Sequence, residues 1–121
     1  MKIHDVRRAA AVAAVARADR PATAIVHDSP DVRLVVFRIE PHQQVSTHTN
    51  ASTVVLTVLE GTGFVSGAEG ERAATVGDVI VFEPREPHDI AITWGWGEAV
   101  APTAARRPDR PALLLTARFT C

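Results

Sequence analysis

The 121-residue chain has one cysteine, one lysine, no tyrosine and only 5% aromatic residues. Cys121 has no partner within the chain, so neither an internal disulfide nor a thiolate metal cluster is available, and a reduced, cytoplasmic setting is the expectation. No apolar run approaches the roughly 20 residues a membrane helix needs, which argues against a membrane role. With 13 basic against 14 acidic residues the formal charge is −1, too little field to hold a phosphate backbone, so nucleic acid is not an expected partner. The glycines and prolines are scattered, and 46% of the residues are hydrophobic, which excludes a disordered or collagen-like chain. The length suits one domain.

The first twenty residues differ from the rest. Lys2, Arg7 and Arg8 precede the run AAAVAAVA at 9–16, an arrangement with some features of a secretory leader. Its core is alanine and not leucine, and Asp5 interrupts the basic region. The reading adopted is a helix from about Asp5 to Asp19, free of internal Gly and Pro and stopped before Pro21. It is expected to lie on the body as part of the same domain (1–20 with 21–121).

From Pro21 onward the apolar period changes from helical to two. Turn signals recur at Ser29-Pro30, Pro41, Glu60-Gly61, Ala68-Glu69-Gly70, Gly77-Asp78 and Pro84 to Pro87. Strands are expected near 22–27, 32–40, 44–48, 53–60, 63–67, 72–75, 78–83, 88–96 and 112–120. That many strands without intervening helices mean an all-β sandwich or barrel. Parity sorts the faces: Val54, Leu56 and Val58 form an apolar row, and His88, Ile90, Ile92, Trp94 and Trp96 form another. His88 opens its row and is expected to point inward. Ser46, His48 and Asn50 share a side of the strand before Thr53.

The stretch EPHQQVSTHTNASTVVLTVLEG (40–61) is followed by GDVIVFEPREPH (77–88). Together they resemble the paired signature of the cupin superfamily, G-x5-H-x-H-x3,4-E-x6-G and G-x5-P-x-G-x2-H. The resemblance implies a cupin-type double-stranded β-helix, a jelly-roll barrel with a short N-terminal α-helix here. It also implies frequent homodimerisation. In metal-holding cupins, imidazoles and a carboxylate from the first motif meet a histidine from the second. On that pattern His48 takes the first histidine position, Asn50 the second, Val54 (or Thr53) that of the glutamate, and His88 the second-motif histidine. Glu83 stands where that motif has Pro and Arg85 where it has Gly, so an altered turn is expected.

Two imidazoles and a neutral amide make an incomplete set for iron or zinc. The preferred expectation is a binding module for a small organic ligand. Its pocket would be built from His48, Asn50, Val54, Leu56, Phe82, His88, Ile90, Trp94 and Trp96. The alternative is a cupin enzyme of dioxygenase or isomerase type, with Zn, Ni, Fe or Mn on an incomplete His48/His88 site, or a metal-free catalyst moving a proton through either histidine. His4, His27 and His42 have no ligand-spaced partner. The segment from Trp94 to Pro111 reads either as a lid over the pocket or as a surface packed on a neighbouring subunit or the N-terminal helix.

Overall fold

A computed structural model describes residues 1–14, 19–40, 43–91 and 112–119, of the backbone alone at 44, 46–48, 90, 91, 112 and 117–119. One helix, α1 (Val6–Val12), precedes nine strands: β1 (Ala22–Asp28), β2 (Val32–Ile39), β3 (Gln44–His48), β4 (Thr53–Glu60), β5 (Thr62–Gly67), β6 (Gly70–Thr75), β7 (Val79–Phe82), β8 (His88–Ala91) and β9 (Ala112–Phe119). They form two antiparallel sheets, ordered β1-β2-β9-β4-β7 and β3-β8-β5-β6.

Alternation along each strand decides what fills the space between the sheets. From β4 the inward set is Val54, Leu56 and Val58; Ile39, Leu114 and Phe82 join them from the same sheet, and Val65 and Ala74 from the other. Leu56 and Ile39 are fully buried, each worth about 1.5–3 kcal/mol relative to an exposed position.

The opposite face of the larger sheet is covered by α1. Asp5 caps the helix by accepting the Arg8 N–H on Oδ1 at 3.0 Å. Ala10 then packs against Val36 and Leu113, with Ala24, Val26 and Leu59 around them. The last turn has no basic residue of its own. Arg38 of β2 takes that role, donating to the carbonyls of Ala10, Ala11 and Ala13 at 2.5, 3.0 and 3.3 Å.

The helix is shorter than its composition suggests, ending at Val12 instead of about Asp19. A short alanine helix draws its stability from tertiary contact, and the only residue it buries is Ala10. Ala13 is already extended (φ −62°, ψ 132°). No helix among the described residues is long and apolar enough to cross a membrane. The strands match their expected positions within about two residues where described; the expected continuation of β8 to Trp96 lies outside the described residues.

A candidate ligand cavity between the sheets

The second-motif turn places the most chemically active residue. Glu83, Pro84, Arg85 and Glu86 form a β-turn closed by the Glu86 N–H on the Glu83 carbonyl at 3.0 Å. Pro84 takes the second position and Arg85 the third, with φ 64°. This is type II geometry, which favours glycine at the third position. The turn expected to be altered therefore keeps its hydrogen bond, and an L residue adopts the left-handed conformation. The Arg85 N–H also donates to the Asn50 carbonyl at 2.6 Å, tying the β3–β4 connection to the turn that leads into β8.

Glu86 is bound to the same construction. Its carboxylate accepts the Ala68 N–H at 2.7 Å and the Glu83 N–H at 2.9 Å. These bonds, the Ala68 one foremost and then the Glu83 one, hold its pKa below the ordinary value. Gly67 leaves room for this reach, since a Cβ there would stand 2.6 Å from Glu86 Oε2.

His88 follows at the start of β8, only 4% exposed. Its ring stacks on Phe82 with centroids 4.2 Å apart and planes 11° from parallel. Nδ1 lies 2.9 Å from the Glu86 carbonyl oxygen. A carbonyl can only accept, so Nδ1 carries the proton and the neutral ring has Nε2 as its acceptor atom. Burying an imidazole demands such a partner. Directly across the β3–β8 ladder, His48 is the register partner of His88, after a register shift between Val45 and His48.

A cavity of about 320 Å³ opens beside His88. Asn50, Val54, Leu56 and Phe82 line it with His88. Val45 of β3 adds to the motif side, and the other walls come from strands outside the paired motif: Thr23 and Ile25 of β1, Arg33, Val35 and Phe37 of β2, and Thr116 of β9. Parity in β2 offered the signal for three of these, since Arg33, Val35 and Phe37 alternate toward the same side as Ile39. The Thr116 hydroxyl, 7% exposed as a residue, donates to the Val35 carbonyl at 3.3 Å. The side chains of His48 and Ile90, and Trp94 and Trp96 altogether, lie outside what the structure describes.

The donors do not fit the metal set of a metal-holding cupin. Val54, at a carboxylate position of the motif, is a buried hydrocarbon. Asn50 Oδ1 accepts the Ser52 N–H at 2.9 Å, closing an Asx turn. The Glu86 carboxylate is held by Ala68 and Glu83. Among the described residues no group of three or more His, Cys, Asp and Glu side chains could hold an ion. His4 and His27, without a ligand-spaced partner in sequence, do meet in space, their ring centroids 6.0 Å apart.

Residues 35–93, which contain the whole of both motif segments, match the Cupin domain family. The chain matches no curated protein. Among solved structures it is similar to TT1209 from Thermus thermophilus (22% identity, 98% of this chain and 97% of that one, TM-score 0.75). A double-stranded β-helix domain protein from Klebsiella pneumoniae is similar at 16% identity, over 98% and 90% of the two chains, with TM-score 0.74. An RmlC-like cupin from Desulfovibrio desulfuricans is similar at 23% identity, over 98% and 96%, with TM-score 0.67. The motif pair, the two facing sheets and this shared fold lead to one conclusion: the chain is a small member of the cupin superfamily.

Proposed function

We propose that this cupin binds a small organic ligand in the cavity between its sheets and does so without a resident metal. The carrying observation is a roughly 320 Å³ space with mainly apolar walls into which Asn50, His88 and Thr116 bring polar groups. That volume lies at the lower end of the ~300–1,000 Å³ of small-molecule sites. Val54, Leu56, Phe37 and Phe82 supply burial for a hydrocarbon body. His88, held in one tautomer by Glu86, supplies a fixed acceptor at Nε2. His48, its register partner, is proposed as the second imidazole of the site.

The test is a ligand-observed NMR screen of small fragments against the native chain and a cavity-filling Val54→Trp variant, with Val54→Phe as a milder filling. Binders of the native protein should be lost stepwise as the cavity fills, while both variants keep a cooperative melt. Fragments that bind the filled and native proteins alike would overturn the reading.

The tautomer of His88 also favours a catalytic version of the same site, in which Nε2 accepts a proton from the ligand. A compound altered by the native protein and returned unchanged by His88→Gln would establish it; a compound turned over equally by both would exclude it.

A further inference from the structure

One wall of the cavity carries a charged side chain that the motif does not explain. Along β2, Arg33, Val35, Phe37 and Ile39 alternate toward the cavity side. Three are hydrocarbons, and Arg33 closes the row at the mouth with its side chain 41% exposed. An arginine on a cavity-facing position costs desolvation unless it is paired or kept in contact with water.

A change of register in β1 supplies the pair. The β1–β2 ladder runs regularly to Ile25 opposite Val35, then resumes with His27 opposite Leu34 and Asp28 opposite Arg33, leaving Val26 as the extra residue. Without that bulge His27 would stand opposite Arg33. The extra residue instead brings a carboxylate there and turns His27 toward the side of His4. Bulges concentrate beside functional sites because they re-aim side chains in this way.

Asp28 grips Arg33 at two points, Nε to Oδ1 at 3.1 Å and Nη2 to Oδ2 at 2.8 Å. The grip uses one edge of the guanidinium and fixes its plane. One Nη1 hydrogen and the second Nη2 hydrogen form another two-point edge, matched to a planar carboxylate. Among the described residues no side chain bonds to that edge.

We infer that Arg33, oriented by Asp28, reads a carboxylate on the ligand at the cavity mouth while the ligand's apolar body enters between Ile25, Val35, Phe37 and Leu56. This rests on the binding function proposed above and narrows its ligand to small organic acids. The negative charge of Asp28 lies on the far edge of the guanidinium, so it aligns the reading edge without occupying it.

The experiment compares phenylacetate with phenylacetamide, equal in shape and different in charge, by titration calorimetry against the full chain. The acid should bind about tenfold more tightly than the amide, the effect of one charge-assisted hydrogen bond. Arg33→Gln should bring the acid down to the level of the amide and leave the amide unchanged, which also reports that the variant is folded. Arg33→Lys should recover only part of the preference, because a point charge cannot make the two-point contact. Equal affinities for acid and amide in the native chain, or an acid preference that survives Arg33→Gln, would overturn the carboxylate assignment and leave cavity binding standing. Failure of both probes to bind the native chain, or undiminished binding of both to Val54→Trp, would overturn the cavity reading itself.

Discussion

Replacing Arg85 by glycine should stabilise the protein. The residue sits at φ 64° in the third position of a type II turn, and its side chain is exposed, so little packing is lost on truncation. The left-handed conformation costs an L residue about 1–2 kcal/mol. Glycine escapes that cost but gives the unfolded chain more freedom, which takes back about 0.4–1 kcal/mol. The net gain is about 0.5–1 kcal/mol, or a rise of about 2–5 °C in Tm for a domain of this size. Arg85→Ala is the decisive control, because alanine keeps the Cβ that causes the strain and should melt near the native temperature. Arg85→Asn should fall between, since asparagine tolerates the left-handed region. Urea unfolding followed by circular dichroism gives the three midpoints. Equal gains for alanine and glycine, or a loss for glycine, would refute the strain account of this turn.

The lowered pKa of Glu86 sets a pH dependence. Its folded value lies below the ordinary 4.5, so its stabilising contribution is complete above about that pH and disappears as pH falls through the folded value. Glu86→Gln should flatten the stability profile between neutral and acid pH, measured by urea midpoints. Gly67→Ala, which drives a methyl against Oε2, should reproduce part of that effect. Arg38→Met should uncap α1 and increase its local opening by about 1–2 kcal/mol, read as faster amide exchange over residues 6–12 with the strands unaffected.

The strands were legible because each carries a period-two pattern between residues that set turn dihedrals. Gly77, for example, takes φ 95° where β6 turns into β7, and Asp78 closes that turn by accepting the Thr75 N–H. The inward row Val54, Leu56 and Val58 followed from parity alone. Helix length was not legible, since alanine propensity says nothing about where tertiary support stops. Nor was the bulge at Val26, which has no glycine or proline to mark it and yet decides that Asp28 and not His27 faces Arg33. Attention to the motif strands also hid half of the cavity, whose remaining walls come from β1, β2 and β9. The spatial pairing of His4 with His27 joins residues far apart in sequence and leaves no local pattern.

Methyl-resolved NMR of the chain labelled at Val, Leu and Ile, titrated with phenylacetate, tests the cavity most directly. Shifts should concentrate at Val35, Val45, Val54 and Leu56, together with the His88 ring. Shifts confined to the exposed Val76, Val79 and Val81, with the inward methyls unmoved, would contradict a binding site between the sheets.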